Sequence, residues 1–315
     1  MSGAQGPWLT PPRLRPGDRV AVVAPASPFQ REDFDAGVRE LQALGFAPVF
    51  DDRVFERNRF VAGTPEVRAA VLHDAWRDPS IRALVAVRGG YGSAQLLPLL
   101  DPGLLRSNPK IFLGYSDITT LLSFHLQHGV VSFHGPMLER RLGGGVERYH
   151  RASLLAAVMH AEAPGVLQPD AMEVLRPGEA RGILCGGTIT QLAASLGTPW
   201  AFDPPEGCIL FLEDIAERPY RVHRMLTQLS QGGVLARVHG LVFGEMPSCD
   251  EPGGAHMIRD VLREFVAGFD GPVLFGFPSG HTQGATWTLP FGVHARIVSS
   301  PPAVIIEQAA VSEHA

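Results

Sequence analysis

Short, almost uninterrupted apolar runs alternate along this chain with stretches whose apolar residues recur every three or four positions. The first runs are Arg19-Val20-Ala21-Val22-Val23-Ala24, residues 47–50, Ala83-Leu84-Val85-Ala86-Val87, 111–113 and 130–134, and helical patterns lie at 31–44, at 65–76 and after Ser116. Strands without polar alternation are buried on both faces, so the pattern predicts a parallel sheet covered by helices. It breaks at about 139–178, where Gly143-Gly144-Gly145, scattered charges, Pro164 and Pro177 leave one helical pattern at 152–160. Such a stretch reads as an interdomain connection. A second series follows, with strands at 181–184, 208–212, 241–243 and 273–275, helices at 189–196, 220–229 and 257–266, and a β-rich tail to 306. The chain is therefore expected to form two α/β domains, 1–145 and 179–315, joined by 146–178.

Composition removes several function classes. A chain of 315 residues with 45% hydrophobic residues can bury a sizeable core. Its net charge of −5 and lack of a Lys/Arg-rich run argue against nucleic acid and anionic membranes as partners. No apolar run approaches bilayer-spanning length, and Met1-Ser2-Gly3-Ala4-Gln5-Gly6-Pro7 has no secretory features, so a cytoplasmic location is expected. Cys185, Cys208 and Cys249 are odd in number and widely spaced, which reads as buried thiols and not as a disulfide framework or zinc site.

The candidate chemistry gathers where strands end. In Lys110-Ile111-Phe112-Leu113-Gly114-Tyr115-Ser116-Asp117, a strand runs through a short turn into a helix, with Ser116 at the corner. A hydrolase places its nucleophile at such a corner, with the following N–H, that of Asp117, aimed at developing negative charge. Ser116 could equally be a helix cap, and Ile118 stands where the G-x-S-x-G elbow has its second glycine. The loop Arg88-Gly89-Gly90-Tyr91-Gly92-Ser93 suits an oxyanion or phosphate cradle, or a tight turn, and lacks the dinucleotide fingerprint. Glu213 and Asp214 leave the apolar run 208–212; a carboxylate there needs a cationic or histidine partner, unless both acids cap the next helix. His281, in Phe277-Pro278-Ser279-Gly280-His281-Thr282, and His134, in Phe133-His134-Gly135-Pro136, compete for the role of base. Ser116, Glu213 and His281 follow one another as nucleophile, acid and base, each at the carboxyl end of a strand, where open α/β sheets collect ligands.

On these motifs the chain resembles the serine LD-carboxypeptidases, or murein tetrapeptide carboxypeptidases, with the microcin C self-immunity peptidases as a subgroup. The resemblance rests further on Arg15-Pro16-Gly17-Asp18, Val22-Val23-Ala24-Pro25-Ala26-Ser27-Pro28, His134-Gly135-Pro136-Met137, Gly186-Gly187 and Leu196-Gly197-Thr198-Pro199. It implies a flavodoxin-like first domain, a swivelling β/α-like second domain and an active site at their interface. It also implies a Ser116–His281–Glu213 triad, oxyanion donors at the N–H groups of Asp117 and Gly90, and no metal or cofactor. The implied substrate is a muropeptide or peptide ending in D-alanine, cleaved at an L-D bond in the cytosol by a homodimer. Arg88 and Tyr91 are candidates for contacting that substrate, although Arg88 could equally be a structural ion-pair partner. Thr188 departs from the asparagine expected after the Gly-Gly pair, which puts a local hydrogen bond in question. Two other readings stand beside this one: cleavage of aminoacyl-nucleotide analogues, as in the microcin subgroup, and a non-catalytic two-lobe ligand-binding protein. The microcin subgroup carries an aromatic-bearing loop, whereas the connection here holds Tyr149 and no tryptophan.

Overall fold

The computed structural model describes residues 8–313, so the expectation drawn from Met1 to Pro7 lies outside the described residues. Among the described residues fourteen strands form two sheets. The strands are β1 (Arg19–Val23), β2 (Ala47–Val49), β3 (Ile81–Ala86), β4 (Ile111–Gly114), β5 (Ser132–His134), β6 (Gly165–Leu167) and β7 (Glu173–Arg176). They continue with β8 (Glu179–Thr188), β9 (Cys208–Glu213), β10 (Val238–Gly244), β11 (Val273–Phe277), β12 (Leu289–Phe291), β13 (His294–Ser299) and β14 (Pro302–Ile306).

The first sheet has the order β12-β5-β4-β3-β1-β2. Its five parallel strands, read from β2 to β5, follow the 2-1-3-4-5 order of flavodoxin-like sheets, as expected. Buried residues on both faces, including Val20 to Val23 and Ala83 to Ala86, explain why these strands read as continuous apolar runs. Helices Arg31–Ala43, Pro65–Arg77 and Thr119–Gln127 connect them. Helix Pro65–Arg77 begins at a Thr64 cap, whose hydroxyl accepts from Val67 N.

The second sheet, β6-β14-β13-β8-β9-β10-β11-β7, is mixed. Its centre, β8 to β11, is parallel, and both flanks are antiparallel. The stretch read as an interdomain connection differs from expectation here: it contributes β6 and β7, which close the two edges of this sheet. These strands are three and four residues long and half exposed, so their sequence carries no apolar run. Helix Arg151–Met159 matches the helical pattern expected in that stretch.

The two halves are interwoven. β12 follows the His281 loop yet pairs antiparallel with β5 in the first sheet, Leu289 opposite His134. The chain ends also meet, with Arg13 N donating to Ser312 O and Ser312 N to Pro11 O, both at 2.9 Å. Among the described residues no helix is long and apolar enough to cross a membrane. All three cysteines are buried and free.

Candidate active site

Ser116 lies two residues beyond β4, at φ +64°. A left-handed serine costs about 1–3 kcal/mol and persists only where its surroundings impose it. The imposing contact is local: a Cβ on Gly114 would lie 2.7 Å from Ile118 Cγ2, so Ile118, fully buried, packs down on a glycine. The departure from the G-x-S-x-G pattern is thereby absorbed within the corner itself. Ser116 opens a 3-10 turn that leads into helix Thr119–Gln127, and the Asp117 N–H belongs to the first turn, which has no intrahelical acceptor. Among the described residues Ser116 Oγ makes no hydrogen bond. It does not cap the helix.

The glycine loop lies directly against this corner. A Cβ on Gly89 would sit 2.8 Å from Ser116 Cβ and 2.9 Å from its Oγ, so only glycine admits the loop at this distance. Gly90 has φ +100°, and Ser27 fastens the loop from beneath, its N donating to Gly89 O at 3.2 Å and its Oγ accepting from Tyr91 N at 3.0 Å. The far end is tied by Asp117, whose carboxylate accepts from Ser93 N at 2.8 Å while its carbonyl accepts from Ser93 Oγ at 2.6 Å. Burial raises the Asp117 carboxyl above its usual range against these hydrogen bonds. Arg88 pairs with the buried Glu139, Nε to Oε2 at 3.1 Å, and remains one-third exposed. Tyr91 is exposed.

Glu213 ends β9 with no exposed surface. One carboxylate oxygen accepts from His281 Nδ1 at 2.7 Å and from His281 N at 3.0 Å; the other accepts from Thr188 Oγ1. Burial alone would raise this acid, but the facing imidazoles of His281 and His134 and the Thr188 hydroxyl outweigh it, holding Glu213 at about 2. Thr188, standing where an asparagine is expected, thus supplies a hydrogen bond to Glu213, and Thr188 N in turn donates to Thr119 Oγ1 at 3.1 Å. Asp214 does not join the pair: it accepts from Thr190 N and Oγ1, at 2.9 and 2.8 Å, and secures helix Ile189–Ser195. Burial, with Glu213 beside it, pushes Asp214 up to about 6.

The two candidate bases have different surroundings. His134 has no exposed surface, contacts Ser279 Oγ at 2.8 Å, and is pushed down to about 4 by burial. His281 retains 15% side-chain exposure, and although burial opposes its charge, Glu213 raises it above its usual value. Its ring meets Tyr115, the residue before Ser116, edge-on with centroids 5.0 Å apart. The structure therefore places Ser116 and Asp117 against the glycine loop and His281 on Glu213, with Tyr115, the residue before Ser116, packed on the His281 ring; His134 lies buried 4.0 Å from the same carboxylate. Motif reading did not single out Arg141, which binds the carbonyls around His281, or Ser93, whose partner Asp117 is 24 residues away. Ser27 lies in the motif Val22 to Pro28, where nothing in the sequence marks it as the residue that fastens the glycine loop. Among the described residues no group of three metal-ligating side chains is arranged to hold an ion.

Known proteins share this architecture. Residues 20–135 match the family model described as LD-carboxypeptidase N-terminal domain, and residues 181–297 match the LD-carboxypeptidase C-terminal domain. A Streptomyces coelicolor chain described as a carboxypeptidase is 38% identical over 96% of this chain and 97% of its own length. The murein tetrapeptide carboxypeptidase of Pseudomonas aeruginosa is 35% identical over 87% of this chain and 91% of its own. The solved structure of the microcin C7 self-immunity protein in complex with aspartyl sulfamoyl adenosine superposes with a TM-score of 0.88 at 26% identity, over 96% of this chain and 100% of that one. With both domain models matched in chain order, this chain belongs to the serine LD-carboxypeptidase family.

Proposed function

We propose that the protein removes a terminal D-alanine from murein tetrapeptides by hydrolysing the L-D peptide bond, with Ser116, His281 and Glu213 as its triad. The observation that carries the mechanism is the fully buried Glu213, which grips both Nδ1 and the backbone N of His281. That grip fixes the imidazole tautomer and stabilises imidazolium, leaving Nε2 to take the Ser116 proton as Oγ attacks the carbonyl. The N–H groups of Gly90 and Asp117 receive the oxyanion, and His281 returns the proton to the departing D-alanine amine. Water, deprotonated by the same imidazole, then releases the acyl group from Ser116. Among the described residues Ser116 Oγ is unbonded, and nucleophile–base contacts of this kind tighten on substrate binding. Arg88, held by Glu139 but one-third exposed, is assigned to the terminal carboxylate, with the exposed Tyr91 beside it.

The cell-wall reading is favoured over aminoacyl-nucleotide cleavage by one observation. Tyr149, the aromatic residue of the connection, is 1% exposed and hydrogen-bonded to Glu40, so it offers no face to a nucleobase. The resemblance further supports a homodimer acting on recycled muropeptides in the cytoplasm; sedimentation of the purified protein tests the dimer. The deciding assay follows D-alanine release from a tetrapeptide ending L-D, against D-D and L-L peptides and an aspartyl sulfamoyl adenosine. Preferred cleavage of the nucleotide analogue would transfer the chain to the microcin function, and absence of fluorophosphonate labelling at Ser116 would remove the serine mechanism.

A further inference from the structure

Arg141 belongs to no motif and touches neither Ser116 nor Glu213, yet it is 7% exposed and uses all five of its N–H donors. Nη2 donates to Gly280 O at 2.9 Å and to Thr282 O at 3.0 Å, the carbonyls on either side of His281. Nη1 donates to Gly284 O at 2.9 Å and Arg148 O at 3.4 Å, and Nε reaches Tyr115 Oη at 3.3 Å. Tyr115 precedes Ser116 and packs its ring on His281. One guanidinium therefore joins the backbone on both sides of the base to the residue that precedes the nucleophile. No carboxylate among the described residues forms an ion pair with it. A buried cation balanced only by carbonyl dipoles and the Tyr115 phenol is costly, and a purely structural role could be filled by an apolar side chain of similar volume.

The surrounding segment has the same character. Arg141 lies in the kinked stretch Leu138–Leu142, where Arg140 is left-handed at φ +63°. From that stretch Glu139 pairs with Arg88 at the base of the glycine loop, and Glu139 N donates to Val87 O at 2.8 Å. This five-residue stretch thus touches both the loop assigned to the oxyanion, through Glu139, and the loop that carries His281, through Arg141.

Resting on the triad reading above, we propose that Arg141 is the positioning residue that sets His281 in register with Ser116 across the two domains. Without it, the carbonyls of Gly280 and Thr282 on either side of His281 lose their donor and the loop that carries the imidazole is free to shift; a displacement of about 1 Å at a reacting group costs on the order of 10²-fold in rate. The unneutralised guanidinium also opposes protonation of His281, so its removal moves the acidic limb of the rate profile to higher pH.

The test compares wild type with Arg141→Met and Arg141→Lys on a tetrapeptide ending L-D. It measures kcat, KM, the pH profile, fluorophosphonate labelling of Ser116 and recovery with millimolar guanidinium. For Arg141→Met the expected result is a kcat about 100-fold lower with KM within about 2-fold, slower labelling, an acidic limb at higher pH, and at least about 5-fold recovery by guanidinium. Arg141→Lys should retain more kcat than the methionine variant, and it carries the test should the latter not fold. Wild-type kcat in either folded variant, a loss confined to KM, or a loss without guanidinium recovery or pH shift would overturn this assignment. If wild-type protein itself neither cleaves nor is labelled, the triad reading fails, and Arg141 with it.

Discussion

Ser116 and His281, assigned above to one triad, are positioned by different routes. Ser116 is set by residues close to it in the chain: β4 delivers it, Ile118 packs on Gly114 to force the left-handed turn, and the next helix begins at once. His281 is set from afar, by Glu213 at a separation of 68 residues and by Arg141 on the neighbouring carbonyls, with one local hold from Thr286 Oγ1, which accepts from Gly280 N. The first arrangement stores strain in one residue, whereas the second distributes position over many hydrogen bonds. The two regions should therefore fail differently when altered, one in chemistry alone and the other in chemistry and stability together.

The largest effect is expected at the local corner. Ser116→Ala should lower kcat by at least about 10⁴-fold, because only binding and oxyanion contacts then remain. Its thermal midpoint should stay that of wild type, since the hydroxyl makes no hydrogen bond; a clear drop in midpoint would break the contrast between the regions. Glu213→Gln comes next, with a kcat loss of about 10³ to 10⁴ from a mis-set tautomer. Here the unfolding free energy should fall too, by about 1–3 kcal/mol in urea titrations, because buried hydrogen bonds to His281 and Thr188 are disturbed.

pH sharpens the same comparison. Because Glu213 raises His281, the acidic limb of kcat/KM should lie above the reference value of ~6.5 and move down in Glu213→Gln. The stabilisation from raised His281 is fully present below its unfolded value and is lost as pH rises through its folded value. That from depressed Glu213 is present above its ordinary value of 4.5 and is lost as pH falls toward about 2. The pair therefore contributes most between about pH 4.5 and 6.5, and the stability gap between wild type and Glu213→Gln should be widest there. The smallest effect is a gain: Ser116→Gly, relieved of the left-handed side chain, should be inactive yet more stable by about 1 kcal/mol in the same titration. A loss of stability would mean that the corner is not strained.

The same division decides what could be read from sequence. Strands β1, β3 and β9 announced themselves because both faces are buried, and the corner at Ser116 because its causes lie within four residues. Glu213 was legible by an energetic argument, since a carboxylate ending a buried strand must find a partner, although which partner was not. β6 and β7 escaped notice because short edge strands with half-exposed positions carry no periodicity. β12 has three residues around Pro290, and its partner β5 lies in the other domain. Arg141 was invisible for a different reason: its acceptors are main-chain carbonyls, which every residue has, so no pairing of side-chain types betrays the contact.

β12 also has a temporal consequence. Synthesis runs from the amino end, and domains fold as they emerge, first ones first. All five parallel strands of the first sheet are complete once residue 134 has left the ribosome, but the strand that covers β5 arrives only with residues 289–291. Until then the nascent sheet presents β5 as an open edge, the kind of edge on which chains pair wrongly with one another. The domain that carries Ser116 thus stays incomplete until His281 has been translated, because β12 begins eight residues after it. A ribosome stalled before residue 289 would hold a chain unable to close its first sheet, whatever else of the site it had already made.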